Sequence, residues 1–309
     1  MRRIMSLCCA AALVFSLACS DDTTPSGNKD GGGGLEASIK PDAPKATKID
    51  CTANTCYDYV TNKLMLPTDS TESEKYALEL NGKKYNSLGG ILALIVSQAP
   101  TLNIQAEMDG ATCEGAALIL MRAQANSLTS GATTMQSWVA DKKACCTTTS
   151  DNTKCCTEAA TACFNGTTEF TKMATTTDYL FGGNISAGKV KAGPSKMKLT
   201  LTLSGGASLS LNLVSVTIKG DITATGIKNG VLSGAIPKDD LDKVVVPEIA
   251  KMVNTAYTDP KGDQKTKDLL KTLFDTDKDG KITATEVANN GLIKTFLDGD
   301  VDTDGDGKK

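Results

Sequence analysis

The sequence predicts an α+β protein, with a β-rich, disulfide-stapled body closed by a C-terminal helix–loop–helix. Three observations carry this reading. Apolar and polar residues alternate from Lys196 to Leu213 on either side of a glycine-rich turn. Eight cysteines fall between Cys51 and Cys163, an even set suited to disulfides. Two amphipathic segments flank the acidic stretch from Asp275 to Glu286.

The N-terminus reads as an export signal. Arg2 and Arg3 precede an apolar run from Ile4 to Leu17 that is too short to span a bilayer, and no later run comes close. The run ends in Ser16-Leu17-Ala18-Cys19, which resembles the lipobox of bacterial lipoproteins. The family pattern prefers Leu at the position of Ser16 and a small residue at that of Leu17. The resemblance implies that Cys19 becomes the lipid-carrying first residue of the mature protein. Ordinary cleavage after Ala18 is the alternative and would release a secreted protein. Cysteine arithmetic favours the anchor. Of 11 cysteines, Cys8 and Cys9 leave with the signal. Lipidation of Cys19 then leaves Cys51, Cys56, Cys113, Cys145, Cys146, Cys155, Cys156 and Cys163 for four disulfides in an oxidising compartment. Ser20 follows Cys19, where the enterobacterial sorting rule would place Asp for inner-membrane retention. That implies the outer membrane, on its periplasmic or surface face.

Residues 19–50 form the expected lipid-anchored flexible linker after a signal peptide at 1–18. They contain the run Gly31 to Gly34 and almost no large apolar residue, too little to offset the entropy of ordering. A coil of this kind would hold the body on the order of 30 Å from a membrane. The remainder divides into a Cys-rich α+β region (51–165), a β-rich region with a closing helix (166–260), and the acidic C-terminal segment (261–309). The formal charge of −3, without a basic stripe or interleaved aromatics, offers no electrostatic basis for nucleic-acid binding.

Within the Cys-rich region, Cys51 and Cys56 are spaced to close a small loop at the start of the folded part. Ser87 to Ala99 is a compact apolar run, expected as a buried helix despite its Gly pair. Asn103 to Met108 and Ala117 to Ala125 read as strands, helix competing for the second because both its faces are apolar. Thr134 to Ala140 is the expected return strand of a hairpin. The cluster Cys145 to Cys163 contains two vicinal pairs, and adjacent cysteines rarely bond to each other because the ring is strained. Each pair should therefore staple two different partners. A metal or redox site is disfavoured there by the absence of CxxC spacing and of any histidine.

In the β-rich region, Met197, Leu199, Leu201 and Leu203 alternate up to a turn at Ser204 to Ala207. Leu209, Leu211 and Leu213 alternate back, and Val216 and Ile218 then change parity, which predicts a bulge near Leu213. Short strands are expected at Asp221 to Ala224 and Gly230 to Ile236. A helix is expected at Asp239 to Thr255, interrupted or started by Pro247.

Asp275-Thr276-Asp277-Lys278-Asp279-Gly280-Lys281-Ile282-Thr283-Ala284-Thr285-Glu286 matches a calcium loop at every diagnostic position. Calcium is a hard cation that takes six to eight oxygens at about 2.4 Å. Asp275, Asp277 and Asp279 offer side-chain oxygens, Lys281 a backbone carbonyl, and Thr283 a direct or water-mediated contact. Glu286 is placed to be the bidentate ligand, and Gly280 to turn the chain with φ > 0. Ile282 should pack inward, where it would pair with a neighbouring loop if one existed. With Leu269, Leu270, Leu273 and Phe274 before the loop and Val287, Ile293, Phe296 and Leu297 after it, residues 266–297 resemble the EF-hand family. The resemblance implies bound Ca²⁺. A second acidic ladder, with Asp300, Asp302, Asp304 and Asp306, ends the chain before any position 12. It resembles the half-loops of thrombospondin type 3 and dockerin modules, and reads equally as a weak calcium site or a solvated acidic tail.

Catalytic signals are few. Without histidine, Ser-His-Asp and Cys-His arrangements and His-ligated zinc are excluded. Gly183 to Lys189 superficially matches a phosphate loop, but Val190 stands where Ser or Thr must hold magnesium. One tryptophan, Trp138, leaves few rings for a sugar platform. The layout of lipobox, linker and acidic loop, with the segment NGVLSGAIP, is similar to uncharacterised lipoproteins of myxobacteria and brings no known activity. The expectation is a calcium-binding envelope lipoprotein, with structural calcium and a non-catalytic binding or structural role. Its membrane contact would be the lipid anchor, with a protein or glycan partner left open. The alternative is a secreted or envelope hydrolase using a carboxylate pair, with calcium as stabiliser.

Overall fold

The computed structural model describes residues 17–20, 46–65, 67, 69–80, 83–87, 89–90, 93, 104–148, 151–174, 177–202, 208–260, 262–291, 293–294 and 301. Ten strands run through these residues: β1 (Leu17–Ser20), β2 (Cys56–Val60), β3 (Leu78–Leu80), β4 (Lys83–Tyr85), β5 (Ile119–Ala125), β6 (Ser130–Val139), β7 (Tyr179–Ser186), β8 (Lys189–Thr202), β9 (Ser208–Thr223) and β10 (Gly226–Pro237). The helices are α1 (Ser70–Lys75), α2 (Ile104–Cys113), α3 (Asn152–Ala162), α4 (Val246–Thr258), α5 (Gln264–Phe274) and α6 (Ala284–Asn289). A helical turn at Lys238–Asp240 and a π-turn at Leu241–Val245 lead into α4.

Eight strands form one sheet in the order β1-β10-β9-β8-β7-β6-β5-β2, antiparallel throughout except where β1 runs parallel to β10. The hairpin β3–β4 stands apart as a second, two-stranded sheet. The large sheet curls. Although β2 lies at one edge, its Tyr59 hydroxyl donates to the carbonyl of Thr223 on β9 at 2.8 Å, with four strands between them in the sheet order. Bulges produce the bend. Met197 pairs with Leu213 while Ser195 pairs with Val216, so β9 carries one extra residue beyond Leu213, and Ser215 there has φ 52°. This is the bulge expected from the parity change. An opposing bulge in β8 contains Gly193 at φ 102°, where a Cβ would stand 2.3 Å from the Val216 carbonyl oxygen. Only glycine fits there.

The inward faces of the sheet and the C-terminal helices share one core. Met135, Phe181, Met197, Leu199, Leu211, Leu213 and Ile218 from the strands meet Leu241, Ile249, Val253, Leu270, Phe274 and Ile282. The core is thus continuous from the Cys-rich region through the acidic loop.

Several expectations change. Asn103 to Met108 does not supply a strand, because α2 begins at Ile104. Its buried residues Met108, Ala111 and Thr112 follow helical spacing, which a six-residue window is too short to distinguish from alternation. Asp221 to Thr223 is no separate strand but the end of β9, and the segment near Gly230 is the middle of the longer β10. The helix expected from Asp239 does form, running without a gap from Lys238 to Thr258 and interrupted only by a π-turn ahead of Pro247. Pro247 lacks an N–H, and the widened turn absorbs the missing bond. The hairpin β5–β6 forms as expected, Leu120 opposite Trp138. Of the apolar run from Ser87, residues 87, 89, 90 and 93 are helical, and the others lie outside the described residues. The turn at Ser204 to Ala207, Cys8, Cys9 and Gly31 to Gly34 also lie outside them.

Four disulfides join Cys51 to Cys56, Cys113 to Cys156, Cys145 to Cys163 and Cys146 to Cys155. Each vicinal pair does staple two different partners. Together they tie α2, α3 and the 141–148 strand of chain around a small core of Cys145, Cys155, Cys163 and Ala159. Across this knot the Glu158 carboxylate accepts from the backbone and hydroxyls of Thr147 and Thr148. No helix among the described residues is long and apolar enough to cross a membrane.

Candidate metal centre

Local sequence builds the acidic loop from both sides. Asp263 caps α5, its carboxylate accepting from Thr266 N–H at 2.9 Å, and Leu270 and Phe274 bury the helix against the core. Thr283 caps α6 in a capping box, its hydroxyl accepting from Glu286 N–H while Glu286 accepts from Thr283 N–H at 2.9 Å. That box turns the Glu286 side chain back into the loop. Between the helices, Asp277 accepts from Asp279 N–H and Asp279 from Lys281 N–H, at 3.1 and 2.8 Å. Lys278 and Gly280 both have positive φ, 62° and 84°. The glycine expected for the turn is where it is needed.

Carboxylate oxygens of Asp275, Asp277 and Glu286 lie within 4.8 Å of one another. Oxygens that share one calcium at about 2.4 Å can be no farther apart than twice that distance. Asp275 and Glu286 are buried, and one oxygen of Asp275, Oδ1, has no hydrogen-bond partner. A buried carboxylate oxygen with no donor is costly unless a cation completes it. The donor set, all oxygen and without a basic side chain in it, fits a hard divalent ion. Asp279 does not join the three, its side chain turning to Lys281 N–H instead. Lys281 and Thr283 lie on the same loop, the threonine hydroxyl occupied in the capping box. Asp300, Asp302, Asp304 and Asp306 lie outside the described residues, although Val301 between them is buried beside Leu78 and Ala235. Cys19 lies in β1 with its backbone opposite Ile236.

Burial is the largest influence on Glu286 and pushes its carboxyl up. The N–H groups of Thr283, Thr276 and Asp277 and the Thr283 hydroxyl together outweigh it and hold the group below the usual range. The anion is therefore preformed.

Two contributors escaped sequence reading, both on α4. Asn254 accepts the N–H of Ile282 at 2.9 Å, and the Tyr257 hydroxyl donates to Asp275 Oδ2 at 3.0 Å. Tyr257 thereby occupies one oxygen of Asp275 and leaves the other for the loop centre. Its hydroxyl is pushed up, first by this hydrogen bond and then by burial and the charges of Asp275, Asp279 and Asp268. The two residues are three apart on the helix that carries Ile249 and Val253 into the core. A polar residue beside such a buried stripe was the available signal. Asn290 closes the far side, donating to the Leu273 carbonyl at the end of α5 at 2.6 Å. No family model, curated protein or solved structure matches this chain.

Proposed function

We propose that residues 264–290 are a single EF-hand that binds one calcium ion, and that the ion secures the C-terminal helices to the body rather than signalling. The observation that carries this reading is the convergence of Asp275, Asp277 and Glu286 around the unpartnered buried Oδ1 of Asp275. Asp279, the Lys281 carbonyl and Thr283 hold the loop positions from which further oxygens would come, although here the Asp279 carboxylate is turned to Lys281 N–H and the Thr283 hydroxyl sits in the capping box. Bound calcium contributes charge compensation and fixed coordination, with no redox or acid–base chemistry. Support for a structural role comes from α4. In a paired EF-hand the residue at the Ile282 position meets a second loop, and here its N–H meets Asn254 of a helix embedded in the core. Loop and sheet body are thus joined through one element.

The wider reading is an exported, lipid-anchored envelope protein with a non-catalytic binding or structural role, its anchor on Cys19. Even cysteine pairing without Cys19 supports it. Mass spectrometry of the mature N-terminus tests the anchor, an unmodified or absent Cys19 refuting it. For the ion, calorimetric titration of wild type beside Glu286→Ala is the direct test. One site of micromolar to millimolar affinity is expected, and its loss in the variant. A wild type that takes up no calcium, or a variant that binds equally well, refutes the site.

A further inference from the structure

The outer face of the sheet carries a cleft of about 370 Å³ beside Trp138, the chain's one tryptophan. Its volume is at the small end of the range, roughly 300–1,000 Å³, that holds small molecules. The indole is half-buried rather than in the core, and it is fixed in place. Its Nε1–H donates to Asp178 at 2.8 Å, and Lys172 pairs with the same carboxylate. Arg122 is held just as firmly, with Nε and Nη2 donating to the two oxygens of Asp58 at 2.6 and 2.8 Å. Arg122 and Lys172 stand 5.8 and 6.0 Å from the ring centroid, at the outer limit of cation–π contact.

Two polar groups in this wall make no side-chain hydrogen bond or salt bridge among the described residues, although the Lys48 charge acts on the Asp50 carboxylate. Gln136 is only 9% exposed, and its side-chain amide has no hydrogen-bond partner among the described residues. The amide is not among the buried unpartnered polar atoms, and the residue lines the cleft. Lys48 is exposed at the rim and forms no salt bridge among the described residues. The lining therefore offers a ring, a free amide, a free ammonium, and an Asp178 carboxylate with lone pairs to spare. Of the three cations that line the cleft, Arg122 is paired with Asp58 and Lys172 with Asp178, so Lys48 is the one without a salt bridge among the described residues.

We propose that this cleft binds an acidic sugar, a single uronate unit either free or within a chain. Trp138 takes the ring face and Gln136 and Asp178 the hydroxyls. Lys48, the one lining cation without a salt bridge among the described residues, takes the carboxylate. Hydrogen bonds alone would accept a neutral sugar, and the Lys48 ammonium selects the charged one. The site is independent of the acidic loop.

Because Trp138 is the sole tryptophan, its emission reports on this cleft directly. The full mature chain is titrated with galacturonate and glucuronate, with oligogalacturonate, with glucose, with acetate and with a short Asp/Glu peptide. Fluorescence and calorimetry are read in parallel. A chelator is present throughout, because uronates can themselves bridge through calcium. Saturable binding of the uronates is expected, with glucose and acetate weaker by about tenfold or more. Tighter binding of the oligomer than of the monomer would identify a chain as the source. Lys48→Ala and Gln136→Leu should each weaken uronate binding at unchanged melting temperature. No binding of uronate by either readout, equal binding of glucose or acetate, preference for the peptide, or indifference to both substitutions overturns the proposal.

Discussion

The knot between Cys145 and Cys163 and the loop between Asp275 and Glu286 are both polar segments without a large apolar core of their own. They are held by opposite chemistry. The knot buries sulfur: Cys145, Cys155 and Cys163 are each at most 2% exposed, and three bonds tie the segment whatever the solution contains. The loop buries carboxylates, with Asp275 4% and Glu286 7% exposed, and leaves one oxygen without a partner. A covalent cross-link acts mainly by restricting the unfolded chain. A gathered set of anions is instead a folded-state cost, offset at Glu286 by loop N–H groups and left for a cation at the unpartnered oxygen of Asp275. The comparison therefore predicts that one end of the molecule is indifferent to calcium and the other depends on it.

The largest effect should come from the covalent side. Replacing Cys113 and Cys156 together by Ala opens a link with sequence separation 43. Loop-closure entropy puts the loss at about 4 kcal/mol, readable by denaturant unfolding in the presence or absence of calcium alike. A loss that changed with calcium would break the distinction.

Next comes the loop itself. At calcium near 100 times Kd, the wild type should gain about 2.7 kcal/mol over the chelated protein. Asp275→Asn should abolish that gain yet raise stability in chelator, since it removes one of three converging charges. A variant destabilised equally under both conditions would show that Asp275 serves packing instead.

A smaller effect is expected from Tyr257→Phe. Losing its hydrogen bond leaves both oxygens of Asp275 without that donor and should cost about 1 kcal/mol in chelator. Calcium affinity should also fall a few-fold, because Asp275 is no longer oriented, and Asn254→Ala should act in the same direction. Unchanged calorimetry in both variants would remove α4 from the site.

The smallest effect concerns pH at the knot. Hydrogen bonds from the Thr148 hydroxyl, then Thr147 N–H, bring the Glu158 carboxyl down to about 2, against opposition from partial desolvation. A depressed folded-state pKa means that its contribution is complete above the ordinary value of about 4.3. That contribution is lost as pH falls toward about 2. Glu158→Gln should therefore be less stable than wild type at neutral pH, the two converging near pH 2. A gap that persists in acid would point to shape rather than charge. Glu158 is only partly buried, and water screens its interactions, so the gap is small.

Legibility followed the range of the interaction. The long alternation around Met197 and Leu211 marked strands β8 and β9, and its change of parity marked the bulge at Ser215, because pleat period and burial are local properties. Ile104 to Met108 misled, since a few alternating apolar residues satisfy a strand and a helix equally. The three converging carboxylates were legible because one loop of fixed spacing carries them all. Asn254 and Tyr257 were not, lying 28 and 18 residues from the groups they meet. Nor was the position of Trp138 on the outer face, in a cleft shared with Lys48, Gln136 and Asp178.

By itself, then, the sequence determined the strand periodicity, the even cysteine set and the acidic ladder with its turning glycine, each set by backbone geometry over a few residues. The tertiary structure decided which cysteines bond, how far the sheet curls, that α4 meets the acidic loop through Asn254 and Tyr257, and that Gln136 shares a cleft with Trp138. These depend on which distant segments share a core, and burial is a property of the whole chain packed against itself.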